Sequence, residues 1–489
     1  MMWEENCMRK KRITTGILTL FLLALSACNS EKEYDEMSNI IENVNEQETE
    51  QNETTTPNED KDQKTGEIPT TPYPLEVQLD VDKELTEEES SYKIGEDYQY
   101  PYFSQSGVQI AKTEDGYYCL NNSFIYYIDG KTMKANPICS KAECMHETET
   151  EEERRIKCNA YTTSNQIQYY KGNLYVQETE LLENNKNIEV FYRISSDGST
   201  KEKLFQIKNI NLSGWAVHRG YIYFTTAQYI PEKNEVDPGE TQTYCRINRI
   251  PVDGAKKEEV VYECKEIKYN GEIYVPFLYK EHLYVEVFGT YEDRTAADVE
   301  DRKKLCFEKM LQYNIEDGTH SYIEADQESV VSAVNIFRGK LLFYGYHYEY
   351  DDKRNCQYYI ADLDGSNRKK IFKTKEPSDR YITDGTYLYC DNYFGNFYSQ
   401  MEGEKDANQA QYFQVYDMNL KGIDVVGLPE REGDAYYLSA QDANYFFETI
   451  DILEQDVSKA NDIGFFDKGE IGTLKGSIWK KKSISILGE

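Results

Sequence analysis

The sequence predicts an all-β protein, a β-propeller of seven four-stranded blades, with six or eight blades as the alternatives. Three observations predict it. Past residue 94 one pattern recurs seven times: a short apolar-aromatic strand, another strand, an Asp-Gly-type turn, and a polar stretch closing on aliphatics. The motifs that precede each turn start 46 to 61 residues apart, the length one blade of a repeating β-propeller requires. The last copies carry no amphipathic helical pattern between their strands, which weighs against α/β folds.

The chain has 489 residues, 55 Lys+Arg against 88 Asp+Glu, and a formal charge of −33. That balance argues against nucleic acid as a partner. Hydrophobic residues make up 39% and aromatics 13%, with 43 Tyr and 3 Trp, enough surface for a large core and too much for wholesale disorder.

At the N-terminus, residues 9–12 are basic and the run 13–27 is almost wholly apolar. The run is short for a spanning helix and ends at small residues, so 1–27 reads as a signal peptide. Glu4 and Glu5 precede the basic cluster, which leaves Met1 and Met8 both open as starts. The tetrad Leu25-Ser26-Ala27-Cys28 resembles the lipobox of bacterial lipoproteins. That resemblance implies lipidation of Cys28 and a lipid-anchored protein on the extracytoplasmic face of the cell membrane. Residues 29–74 hold 13 acidic residues and 3 Lys, with Tyr34 and Tyr73 as the aromatics. Such a segment buries too little to fold and reads, with Cys28, as a self-repelling tether over 28–74. Residues 75–93 form a linker, and 94–489 the propeller.

The hairpin halves of the seven units are IYYIDGKTMKANPI (125–138), FYRISSDGSTKEKLF (191–205), INRIPVDGAKKEEVVY (247–262), LQYNIEDGTHSYI (311–323), YYIADLDGSNRKKIF (358–372), FQVYDMNLKGIDVVGL (413–428) and IGFFDKGEIGTL (463–474). Asp-Gly supplies positive φ at low steric cost between two strand runs. The partner motifs are NSFIYY (122–127), GNLYV (172–176), GYIYF (220–224), EHLYV (281–285), GKLLFY (339–344), GTYLYC (385–390) and DANYFF (442–447).

YYIADLDGSNRKKIF resembles the repeat end of low-density-lipoprotein-receptor-type propellers, a family usually of six blades. The whole chain resembles the propeller-like lipoproteins of Gram-positive bacteria. It shares with them the lipobox, acidic tether, Tyr-rich blades and a Cys…Cys-x-His…Cys-Asn-Ala-Tyr loop ending at Cys158-Asn159-Ala160-Tyr161. That resemblance implies fold and location and brings no known activity.

The long insertions, 228–241, 290–305, 347–355, 392–411 and 448–462, fall mainly between the second and third strands of their units. They therefore share one end of the blades, where a binding surface is expected. They carry Tyr229, Tyr291, Tyr348, Tyr350, Tyr393, Phe394, Phe397 and Tyr398, stacking platforms for sugar rings or apolar side chains, beside carboxylates that favour hydroxyls, cations or basic peptides. The solvated-loop reading stands beside this one.

Cys139, Cys144, His146 and Cys158 form a C-x4-C-x-H-x11-C array of ligand types that complete a tetrahedral zinc site. A disulfide, expected in an exported protein, is the rival, with the third Cys free or paired to Cys119; unpaired thiols are a third reading. Either bonded form is structural, since four protein ligands leave zinc no open position. Cys245, Cys356, Cys119 and Cys390 read as small core residues, and His218, His282, His320 and His347 as blade or turn residues. Asp362 and Asp364 read as turn residues rather than calcium ligands. No nucleophile elbow, H-E-x-x-H, P-loop or EF-hand loop is present. The expected function is therefore a binding module for a glycan, peptide or envelope protein. The alternatives are a glycan-active hydrolase or lyase with carboxylates around a central channel, and an envelope assembly or sensor component.

Overall fold

The computed structural model describes residues 68–77, 93–98, 110–121, 123–142, 144, 157–181, 187–208, 211–230, 242–255, 257–274, 277–290, 306–324, 329–347, 357–373, 380–391, 411–429, 438–442, 444–448 and 464–486. The signal segment, Cys28 and the tether to residue 67 lie outside them.

A short strand, β1 (Leu75–Glu76), precedes the blades. Blade 1 consists of β2 (Ile110–Lys112), β3 (Gly116–Asn121), β4 (Phe124–Asp129) and β5 (Lys134–Pro137). Blade 2 follows with β6 (Ile167–Tyr170), β7 (Asn173–Leu181), β8 (Asn187–Ser195) and β9 (Lys201–Lys208). In blade 3 the strands are β10 (Asn211–His218), β11 (Tyr221–Ile230), β12 (Gln242–Pro251) and β13 (Glu259–Cys264). An extra strand, β14 (Tyr269–Ile273), pairs with the third strand of blade 3 and the second of blade 4, merging the two sheets. Blade 4 has β15 (Phe277–Tyr279), β16 (His282–Thr290), β17 (Cys306–Asn314) and β18 (His320–Ile323). Blade 5 has β19 (Ser329–Phe337), β20 (Lys340–His347), β21 (Gln357–Ala361) and β22 (Lys369–Lys373). Blade 6 has β23 (Arg380–Thr383), β24 (Leu388–Asp391), β25 (Tyr412–Tyr416) and β26 (Gly422–Gly427). Blade 7 has β27 (Leu438–Gln441), β28 (Tyr445–Glu448), β29 (Gly464–Asp467) and β30 (Lys482–Ser483), and the last strand is β31 (Ser485–Ile486). Within each blade the strands pair antiparallel in chain order, so the propeller has seven blades, not the six of the low-density-lipoprotein-receptor type.

The second strands explain why the partner motifs read as continuous apolar runs. Along β7, Leu174 and Val176 enter the core shared with blade 1, while Tyr175 enters the core shared with blade 3. The same alternation holds in β11, where Ile222 and Phe224 face blade 2 and Tyr223 faces blade 4. A strand buried on both faces has no polar side to show. The first partner motif is the exception. The second strand of blade 1 is Gly116–Asn121, and NSFIYY falls mainly on the third strand, β4.

Seven apolar clusters fill the seams between successive blades, and one of them closes the ring. It joins Ile110, Tyr117 and Cys119 of blade 1 to Phe447 and Phe465 of blade 7, with Ile484 added from the chain end. Tyr117 meets Phe447 edge-on at 4.9 Å between ring centres. The seventh blade keeps its own fourth strand, β30, and β31 then runs parallel to β5 as a fifth strand on blade 1. The chain end thus ties the last blade to the first and covers an outer edge that would otherwise stand open.

The Asp-Gly turns differ from two-residue hairpins. At Asp197-Gly198 and Asp364-Gly365 only the glycines take positive φ, +66° and +82°. The glycine amides donate back to Ser195 and Asp362, each at 2.8 Å, which gives a type I turn followed by a left-handed glycine. The aspartate's work is done by its side chain. Asp197, Asp253, Asp317 and Asp364 each accept the amide two residues on, at 2.8 to 3.0 Å. Two-residue turns with both residues at positive φ lie instead between first and second strands, as at Lys171-Gly172 and Arg219-Gly220.

Two N-terminal segments dock on the ring. Residues 68–77 reach blades 5 and 6: the Tyr73 amide donates to Gln414 Oε1 at 2.7 Å, and β1 pairs with β22. The expected boundary between tether and linker at residue 74 falls inside this docked stretch. Residues 93–98 cross the tight turns of blades 2 to 4. The Lys171 amide donates to Gly95 O at 3.0 Å, and the Arg219 amide to Glu96 O at 2.8 Å. The Tyr98 amide donates to His218 Nδ1 at 2.9 Å, and His218 Nε2 faces Lys280 O at 2.6 Å.

Candidate metal centre

The connection from blade 1 to blade 2 leaves β5 at Ile138 and enters β6 at Ile167. Both ends of its cysteine loop are fixed to one residue of β4. The Ile138 amide donates to Ile125 O at 3.1 Å, and the Ile125 amide donates to Ala160 O at 2.8 Å. Thr162 N reaches Ser123 O at 2.9 Å, and Phe124 bridges Tyr161 with their rings edge-on at 5.7 Å. Cys139 follows Ile138 and Cys158 precedes Ala160 by two, so strand pairing alone brings these two thiols together across 19 positions of sequence.

Cys144 joins them through a turn in which its amide donates to Lys141 O at 3.1 Å. Lys141 Nζ reaches forward to Lys157 O at 3.1 Å and draws the loop's two arms together. The sulfurs of Cys139, Cys144 and Cys158 all lie within 4.8 Å of one another. Tetrahedral ligands at a Zn–S length of about 2.3 Å stand roughly 3.8 Å apart, whereas a disulfide needs about 2.05 Å. No disulfide joins the three. The three sulfurs form a group that could hold a metal, and Cys119 lies at the seam of blades 1 and 7, away from them.

Burial opposes ionisation of Cys139, but hydrogen bonds from the Lys141 and Asn159 backbone, with those of Cys144 and Cys158, hold its pKa below the ordinary thiol value. Burial pushes Cys158 up to about 12, only partly offset by the Ala160 backbone. Each of these sulfurs thus faces the backbone two residues further on, a contact that favours thiolate over thiol. Three soft sulfur donors, two of them with such contacts, fit a thiophilic metal.

The loop is also pinned to blade 2. Asn159 Nδ2 donates to Gly198 O at 2.8 Å and Ser199 O at 3.1 Å, both in the outer turn of that blade. Lys201 Nζ reaches Tyr161 O at 2.7 Å and Glu178 at 2.8 Å. Cys158 is fully buried in the seam core with Ile138, Ala160 and Leu174. The cysteine loop thus lies in the seam between two blades.

His146 lies outside the described residues, as do Cys28, Tyr291, Tyr348, Tyr350, Tyr393, Phe394, Phe397 and Tyr398. Tyr229 sits near the end of β11, opposite Thr243. The positions of the insertions agree with expectation: 231–241, 291–305, 348–356, 392–410 and 449–463 each join a second strand to a third. Asp362 is held by Lys340 and Asn367, and Asp364 by Ser366, as turn residues.

Among the described residues several buried carboxylates are engaged by neighbouring groups. Asp384 binds Lys468 and the Tyr389 hydroxyl; Asp442 binds Lys112 at 2.7 Å and the Tyr117 hydroxyl at 2.7 Å. Asp424 accepts amides of Gly472, Leu474 and Lys475. Sequence reasoning missed these groups, and it also passed over Cys264, which stands opposite Cys245 in blade 3.

No family model and no curated protein matches the chain. Among solved structures it is similar to the tricorn protease, at 10% identity and a TM-score of 0.44, covering 81% of this chain and 36% of that one. It is similar to an acylaminoacyl peptidase at 9% and 0.41, covering 80% and 52%. A chain of a nidogen/laminin complex matches at 12% and 0.31, covering 62% and 90%. The chain thus spans about a third and a half of the two peptidases.

Proposed function

We propose that the chain is a lipid-anchored extracytoplasmic protein that works by binding. Cys28 carries the lipid, the acidic segment spaces the propeller from the bilayer, and one loop-bearing face takes a glycan, a peptide or an envelope protein. The observation that carries this reading is the placement of the five long segments. All join second strands to third strands, so all emerge at the same end of their blades; at the opposite ends the first-to-second turns are tight, as at Lys171-Gly172 and Arg219-Gly220, and the long connection there is 468–481 of blade 7. Tyr291, Tyr348, Tyr350, Tyr393, Phe394, Phe397 and Tyr398 belong to those segments, Tyr229 stands on the strand that leads into one of them, and together they supply flat apolar surface. A structural zinc ion held by Cys139, Cys144, Cys158 and His146 fastens blade 1 to blade 2.

Three measurements test the reading. Glycan and peptide arrays probed with the full chain should give binding that a Tyr393→Ala, Phe394→Ala, Phe397→Ala, Tyr398→Ala variant loses; unchanged binding by that variant overturns the face. Acyl labelling of the membrane fraction should disappear in Cys28→Ala, and a wild-type chain without label overturns the anchor. For the metal, the protein purified without oxygen or added metal should hold one equivalent of zinc that Cys144→Ser lacks.

A further inference from the structure

Cys245 on β12 and Cys264, the last residue of β13, are direct cross-strand partners. Opposed residues of an antiparallel pair project to the same face with Cα atoms about 4.5 or 5.5 Å apart. Both separations fall in the range a disulfide accepts, about 4.4 to 6.8 Å. Both residues are buried, at 0% and 2% exposure, in the core between blades 3 and 4. They stand apart from the metal-holding group, which lies at a different seam.

We propose that Cys245 and Cys264 become joined by a disulfide in the mature protein. The proposal rests on the extracytoplasmic reading, since exported chains meet an oxidising environment. The bond would pin the end of β13 where the chain turns into β14, the strand that merges blades 3 and 4. Its neighbours on the same strand pair are the ion pairs Arg246–Glu263, at 2.7 Å, and Arg249–Glu259, at 2.9 Å.

The oxidant is a disulfide donor, such as an extracytoplasmic thiol oxidase or oxidised glutathione. One cysteine thiolate attacks the donor disulfide, forming a mixed disulfide and releasing one donor thiol. The other cysteine displaces the second donor thiol, so the pair loses two electrons and two protons, and the donor gains them. In the folded, reduced protein Cys264 is covered by Glu266 at 3.4 Å and the Tyr322 hydroxyl at 4.0 Å. Burial raises the thiols to about 12 and about 11, so attack from the finished core is slow and the exchange belongs to the folding chain.

The test refolds the reduced, denatured full chain in mixed oxidised and reduced glutathione, then alkylates and digests it without reduction. The expected result is a linked peptide pair containing Cys245 and Cys264 that separates on reduction. Its Tm should fall on adding reductant, and that fall should vanish in the Cys245→Ser, Cys264→Ser double variant. Recovery of both cysteines alkylated, in protein that has regained its β-sheet circular dichroism, overturns the proposal. The same mapping is made on chain taken from membranes with thiols blocked at lysis. A lipidated chain with both thiols free there overturns the proposal. An unlipidated cytoplasmic chain overturns the export reading instead, and the refolding result then decides the pair alone.

Discussion

Tyr284 of blade 4 donates its hydroxyl to the carbonyl of Leu363 in the outer turn of blade 5, at 2.6 Å. Tyr118 of blade 1 does the same to Ser196 of blade 2, at 2.9 Å. In both places a second-strand tyrosine fills the seam with its ring and fastens the next blade's turn with its tip. Tyr284→Phe keeps the ring and leaves the Leu363 carbonyl without this donor. It should cost about 1 to 2 kcal/mol in urea unfolding; no change would mean that the hydroxyl contributes only bulk.

His218 should make stability depend on pH. Burial depresses its pKa from 6.5 to about 4, against the opposing contacts with Lys280 O and Asp97. The unfolded chain takes up a proton below about 6.5 and the folded one does not until about 4. The contribution of neutral His218, about 3 kcal/mol at most, is therefore complete above pH 6.5 and is lost as pH falls toward 4. Protonated Nδ1 can no longer accept the Tyr98 amide, so residues 93–98 should detach with it. Unfolding midpoints at pH 7 and pH 4.5 should converge in His218→Asn relative to wild type.

Lys468, 3% exposed, is sealed among Asp384, the Asp442 carbonyl at 2.6 Å, and the ring of Phe446 at 4.0 Å from its centre. Burial lowers its pKa, with Asp384 and Asp442 opposing that shift. Lys468→Met would strand Asp384 as a buried, uncompensated charge and should cost about 3 to 5 kcal/mol. Asp384→Asn added to Lys468→Met should recover part of that loss, because no net charge then remains in the seam. Failure of the double variant to recover would mean that packing, and not charge, sets the cost.

These groups mark where sequence reading stops. The seven units, their second-strand motifs and the place of the insertions are local patterns, set by strand burial on two faces and by the Asp side chain of each outer turn. The pairing of Asp384 with Lys468 joins residues 84 apart, and that of Asp442 with Lys112 joins residues 330 apart. No periodicity carries such information; it appears only when the ring closes. Ring closure by β31 was illegible for the same reason, since Ser485–Ile486 is too short to signal a strand. The cysteine loop was legible as a ligand pattern because its ligand types recur at close spacing. Its seat between two blades was not, because that seat depends on Ile125 pairing with both of its ends.

Gly198 connects the outer turn of blade 2 to that loop. A Cβ placed on it would stand 1.5 Å from Ile138 O and 3.2 Å from the Cys139 amide nitrogen. Gly254, at the matching turn of blade 3, has the same φ of +66° but would meet its nearest atom, Leu204 O, at an ordinary 3.4 Å. Gly254→Ala should therefore cost about 1 kcal/mol, the strain of a left-handed alanine alone. Gly198→Ala pays that strain and must also push Ile138 and Cys139 away from Ile125, so its cost should exceed the control's by at least 2 kcal/mol, in the range of overpacked cores. A metal bound by the three thiols should respond to the same difference. Zinc competition with a chromophoric chelator should show weaker retention in Gly198→Ala and wild-type retention in Gly254→Ala. Equal retention in both would mean that the thiol cluster holds its geometry without the outer turn of blade 2.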